Sequence, residues 1–192
     1  MNLKKPKFWD YKKPNIIAYF LLPISLLLQI LRLFKKKPKL KLSRIKCICV
    51  GNIYLGGTGK TSLSIKIHEI LSKKKIKSCF VKKFHKEHLD EQRLLESKGK
   101  LFLSSKRVNA INTAEIENYE IAILDDGLQD KSVNCDINIV CFNNINWIGN
   151  GLTIPSGPLR EELSALKRAE CVIVNGNKNT IIEKEILKQK KE

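Results

Sequence analysis

Apolar and polar positions fall along this chain in blocks that fit a layered α/β fold. The stretch 16–34 is apolar except at Pro23, Ser25, Gln29 and Arg32. It predicts a helix about 28 Å long, close to the hydrocarbon thickness of a bilayer, with Asn15 placed to cap it. Farther on, short runs of buried type at 47–50, 78–81, 101–103, 120–124, 137–142 and 171–174 read as strands. Between the first two runs, Leu63, Ile67, Ile70 and Leu71 form the i, i+4, i+7, i+8 stripe of a helix packed on a sheet. Helices are also expected over 91–97 and 159–167. Strands alternating with helices predict a mostly parallel sheet flanked by helices, with the loops at the strands' carboxyl ends converging on a ligand.

Charge divides the chain in two. The formal net charge is +17, and residues 1–46 account for most of it, because Asp10 is the only acid among their many lysines and arginines. Lys4, Lys5, Lys7, Lys12 and Lys13 precede the apolar stretch, and Lys35, Lys36, Lys37, Lys39 and Lys41 follow it. Phe8, Trp9 and Tyr11 lie where an interface belt would sit. A basic charge wrapped around an apolar helix, with no recognition motif, argues against nucleic acid and for a membrane surface. Residues 1–44 are thus expected to be a membrane-associating segment, and 45–192 a domain that the nucleotide required by its glycine-rich loop places on the cytoplasmic face of the inner membrane. Six cysteines, with no C-x-x-C pair and most of them inside apolar runs, are expected to be reduced and buried rather than metal ligands. His68, alone among the positions of the second helix, is expected to be structural.

The chemistry concentrates after the first strand. Gly56-Gly57-Thr58-Gly59-Lys60-Thr61 joins a β-branched, apolar strand to an amphipathic helix, which is the context that a phosphate-binding loop requires. Its glycines let backbone N–H groups turn inward, and the helix offers its positive end to an anion. Lys60 would reach the β and γ phosphates of a polyphosphate, and the Thr61 hydroxyl would take one position on Mg²⁺. The first glycine of the full pattern is absent: Tyr54 stands there, flanked by Gly51 and Gly56. Asp125 and Asp126 end the strand at 120–124 and are the matching candidates for Mg²⁺.

With these motifs in hand, the chain resembles the tetraacyldisaccharide 4'-kinase family, which phosphorylates a lipid A disaccharide precursor. The likeness rests on Val50-Gly51-Asn52 leading into the Gly56–Thr61 loop, Leu124-Asp125-Asp126-Gly127-Leu128-Gln129, Gly149-Asn150-Gly151, Pro155-Ser156-Gly157-Pro158-Leu159-Arg160-Glu161, Leu166-Lys167-Arg168-Ala169 and Val172-Ile173-Val174-Asn175. It implies a P-loop NTPase-like fold, ATP and Mg²⁺ as cofactors, and a membrane lipid as acceptor. It further implies that Asp90, in Asp90-Glu91, is the base on the sugar hydroxyl, that Arg107 and Arg160 are active-site arginines, and that Gln129 and Glu161 give polar support around the nucleotide. Leu89, Asp130 and Ser62 depart from a glycine, a histidine and a proline of the family, and Lys83-Phe84-His85 stands in place of a Ser-Arg-Gly-Tyr-Gly run. The family also continues past the equivalent of residue 192 into a second lobe. Three readings follow: a lipid kinase, an ATP-binding chain that is silent alone, or half of a split enzyme that meets a separate C-terminal lobe.

Overall fold

The computed structural model describes residues 5–34, 44–84, 89–130 and 132–191. Lys4, His85 and the basic run 35–41 lie outside them. Six strands form one sheet: β1 (Lys46–Gly51), β2 (Ser78–Lys83), β3 (Leu101–Ser104), β4 (Ile121–Asp125), β5 (Ile137–Asn143) and β6 (Cys171–Asn175). Their spatial order is β3-β2-β4-β1-β5-β6, and every pairing is parallel. The sheet is therefore wholly parallel. Both of its faces are covered, as parallel sheets require, so β4 buries Ala122 and Leu124 toward one side and Ile123 toward the other.

Helix α2 (Lys60–Lys73) crosses the face that holds Val50, Phe80 and Ile123, and α3 (Leu89–Glu96) adds Leu95 to it. On the opposite face α4 (Arg107–Ile116) packs Ala110, Ile111 and Ala114 against Cys79, Val81 and Phe102. The small residues let this helix approach closely, but they gave no wide apolar stripe, and the sequence pattern did not predict it. Helix α5 (Thr180–Lys191), also unpredicted, is capped by Asn179, whose Oδ1 accepts from the N–H groups of Ile181 and Ile182. The helix expected over 159–167 is shorter: only Leu163–Arg168 turns, as a 3₁₀ helix. Leu159 is buried, and its backbone is tied sideways to Leu152 and Ile154, while the Arg160 N–H reaches the Ile53 carbonyl. Those bonds leave no helical ladder there.

Helix α1 (Ile16–Phe34) forms where the sequence placed it, capped by the Asn15 side chain at 2.9 Å from the Ala18 nitrogen. Its polarity is inverted. The polar stripe Ser25, Gln29 and Arg32 faces the body: Ser25 donates to the Thr153 carbonyl, Gln29 to the Thr153 hydroxyl and Arg32 to the Arg160 carbonyl. Ile16, Phe20, Ile24, Leu27 and Leu31 are exposed. Among the described residues no helix is long and apolar enough to cross a membrane. The expectation of six free thiols is corrected by Cys47 and Cys135, which are paired as a disulfide with Cα atoms 4.7 Å apart. Cys49, Cys79 and Cys141 are free and buried, and Cys171 is exposed. His68 is structural: its Nδ1 lies 2.8 Å from the Ser78 hydroxyl and its ring against Phe80.

Candidate active site

The site follows from the strand order. Because β1 and β4 are neighbours with Val50 beside Asp125, the loop that leaves β1 and the acidic pair that ends β4 emerge side by side. A cavity of about 400 Å³ opens there, lined by residues 55–62 together with Lys82, Lys83, Glu91, Arg107, Asp125, Asp126 and Arg160. The loop is held from inside by Asn52, whose Nδ2 donates to the carbonyls of Tyr54 and Gly56 and to the Thr58 hydroxyl at 2.6, 3.2 and 3.2 Å. Gly59 caps α2 at φ 84°, a left-handed conformation that disfavours any side chain, and this turns the helix N-terminus toward the cavity. A Cβ on Gly57 would meet nothing within 4 Å, so the loop presents bare backbone to open space. Tyr54, where the motif expects glycine, is buried and donates from its hydroxyl to Asp10, fastening the N-terminal segment to the loop.

Lys60, the first residue of α2, extends to within 3.8 Å of Asp126. Asp125 is fully buried, and its carboxylate accepts from the Thr61 hydroxyl at 3.4 Å, the Ser64 hydroxyl at 3.3 Å and the Lys82 ammonium. Asp126 sits in left-handed backbone at φ 58° and takes two bonds from Arg160 Nη1, at 2.8 and 3.0 Å. Burial alone would raise its pKa, yet Arg160 and Lys60 outweigh that and hold the carboxyl below the ordinary aspartate value. Arg107 is buried, donates to the Asp126 carbonyl at 2.7 Å and to the Asp130 carboxylate at 2.8 Å, and leaves Nε without a partner among the described residues.

The sequence-derived residues are not all in the cavity wall. Gly56, Gly57, Thr58, Gly59, Lys60, Thr61, Arg107, Asp125, Asp126 and Arg160 line it. Gln129 stands behind, donating to the Asn52 carbonyl and accepting from Arg160, so it braces both loops. Glu161 accepts from Arg168 and lies outside the lining. Asp90 is exposed in the first turn of α3, and the lining residue of that pair is its neighbour Glu91. Lys82 was missed. Its burial on β2 and its bonds to Asp125 and Glu91 mark it as part of the site, and the one available signal was a lysine closing an apolar strand.

Comparison with known proteins decides the lineage. The profile of the tetraacyldisaccharide-1-P 4'-kinase family matches residues 17–192. The chain belongs to this family. A tetraacyldisaccharide 4'-kinase of Pelagibacter ubique is 58% identical over 182 residues, which cover 95% of this chain and 58% of that protein. Its namesake from Rickettsia bellii is 34% identical over 197 residues, covering 92% of this chain and 60% of the relative. The chain thus spans about three fifths of the curated relatives it matches. Among solved structures, LpxK from Aquifex aeolicus in complex with ATP superposes with a TM-score of 0.69 at 24% identity, over 83% of this chain and 59% of that one. The signal recognition particle 54 kDa protein from Aeropyrum pernix, solved with GDP, gives 0.50 at 14% identity, over 92% and 45%. Both likenesses support the P-loop NTPase-like fold of the family.

Proposed function

We propose that the chain is an ATP-dependent lipid kinase that phosphorylates the 4'-hydroxyl of a tetraacyldisaccharide 1-phosphate in lipid A biosynthesis. The observation that carries this reading is the meeting of Lys60, Thr61, Asp125 and Asp126 in one cavity of a chain from this family. Backbone N–H groups of 56–61 and the α2 N-terminus cradle the ATP phosphates, and Lys60 lies over the transferring group. Arg107 and Arg160 line the same wall and balance its charge, Gln129 keeps Arg160 in place, and Glu161, paired with Arg168 outside the lining, gives polar support from farther off. The binding of ATP by the Aquifex relative is in keeping with this arrangement.

Mg²⁺ fits the donor set. Thr61 and Asp125 offer hard oxygens, the donor type that Mg²⁺ prefers. Thr61, Asp125 and Asp126 would hold it, and when bound it neutralises charge on the phosphates. Asp90, beside Glu91, takes the proton of the sugar hydroxyl.

The division into 1–44 and 45–192 belongs to the same reading. Helix α1 turns its apolar side outward and its polar side to the body, the reverse of a soluble packed helix, which supports a helix lying in the membrane interface. The chain then works at the cytoplasmic face of the inner membrane, where ATP and the lipid acceptor meet. Transfer of labelled phosphate from ATP to the tetraacyldisaccharide 1-phosphate, on membranes carrying the full chain, tests this. Product with the native chain and none with Lys60→Ala supports it, whereas turnover in both Lys60→Ala and Asp90→Ala that matches the native chain overturns it.

A second reading rests on the three-fifths span of the relatives. ATP is bound but transferred only when the remaining part of the family's length is supplied, as in a split enzyme. ATP binding without product, with product restored by adding the C-terminal lobe of a relative, distinguishes this reading from the first.

A further inference from the structure

The molecule carries a buried lysine that the proposed chemistry does not use. Lys82 lies near the end of β2 with its side chain 5% exposed, and its ammonium bonds to Asp125 and Glu91 at once. The Asp125 oxygen it contacts, Oδ2, is also the oxygen that accepts from Thr61. A fully buried carboxylate needs a counter-charge, and here the protein supplies its own. The ammonium therefore stands against the donor pair that suits a divalent cation.

We propose that Lys82 sets the metal dependence of nucleotide binding, by competing with the divalent cation for Asp125. This rests on the nucleotide reading of the cavity and adds to it. An ammonium on the shared oxygen repels an incoming dication at short range in a site of low effective dielectric, so metal capture at Thr61 and Asp125 is weakened. The same ammonium, in a cavity that also holds Lys60, Arg107 and Arg160, lets the phosphates bind without a dication. Glu91 is half-exposed and shares Lys82, so it can keep the ammonium paired when Asp125 turns to metal.

Two measurements on the full chain test this. In the first, ATP is titrated calorimetrically in excess EDTA and in excess Mg²⁺. The proposal expects affinities within about threefold of each other. Binding that requires Mg²⁺ overturns the proposal but leaves the nucleotide reading intact, whereas absence of ATP binding under both conditions overturns both. In the second, Mn²⁺ binding is followed by electron paramagnetic resonance in the native chain, Lys82→Met and Lys82→Arg. Loss of the ammonium should tighten Mn²⁺ by about tenfold or more, and Lys82→Arg should stay near the native value. Equal or weaker Mn²⁺ binding in a folded Lys82→Met overturns the idea. Should that variant fail to fold, the EDTA and Mg²⁺ comparison on the native chain decides alone.

Discussion

The carboxyl edge of the sheet and helix α1 both turn polar groups inward, but of the two α1 alone turns an apolar face outward. At the sheet edge, charges go inside: Asp125, Lys82 and Arg107 are buried and bonded to one another or to neighbouring acids. Along α1 the polar stripe Ser25, Gln29 and Arg32 is the docking face, and Ile16, Phe20 and Ile24 look outward. Removing a charged partner from the first region therefore harms the fold. Removing apolar groups from the outer face of the second leaves the fold alone and affects only what the helix lies against.

The sharpest break in this contrast comes from Asp125→Ala, which leaves the buried Lys82 only half-exposed Glu91 as partner. Chemical denaturation should show a loss of about 3–5 kcal/mol, and a change within error would mean that the buried charges are not mutually dependent. Next in size, replacing Ile16, Phe20 and Ile24 together with glutamate should lower partition into anionic vesicles about 100-fold or more. The thermal midpoint should stay unchanged, and a marked drop in it would mean that the outward face is packed against protein.

On the inner side of α1, Ser25→Ala tests the seam itself. Ser25 is buried, donates to the Thr153 carbonyl at 3.0 Å, and accepts from the Ser156 hydroxyl at 2.8 Å and the Ser156 nitrogen at 3.1 Å. Leaving those groups unsatisfied should cost about 1–3 kcal/mol. Stability that does not move would show that water replaces the serine at no loss.

The smallest effect concerns pH. The folded pKa values of Asp126 and Asp130 lie below the ordinary value. Burial pushes each up, but Arg160 and Lys60 in the first case, and Ser132 with Arg107 in the second, more than reverse it. A depressed carboxylate stabilises the fold above its unfolded pKa, and that contribution is lost as pH falls through the folded value. Stability should hold above about pH 5 and decline below about pH 4. Asp126→Asn should make the decline shallower. An identical acid limb in that variant would mean that Asp126 is not among the groups responsible.

Most of this architecture was legible in the chain. All six strands are β-branched or apolar runs whose neighbours punctuate them, and the loop of 56–61 joins such a run to an amphipathic helix. Helix α1 was visible from its apolar length and from Asn15, although the direction in which its polar stripe faces is a tertiary fact. Helix α4 escaped because Ala110 and Ala114 bury well through smallness and leave Asn109, Asn112 and Thr113 to blur the period. The segment 159–167 reads as helical by composition, but lateral bonds from Leu159 and Arg160 to distant loops override that preference. Lys82 could not be placed from the sequence, since its partner Asp125 is 43 residues away and only the β2–β4 pairing brings them together. Gln129 and Glu161 were legible as polar groups near the site but not as residues standing behind its wall.

Every role proposed for the cavity rests on the phosphates of ATP seating in the loop 56–61 beside Lys60. Equilibrium binding of ATP to the full chain and to Lys60→Ala tests this most directly. The expected result is saturable, one-site binding that weakens about 10- to 100-fold in the variant. Equal affinity in the two proteins, or no binding to the native chain, would contradict it.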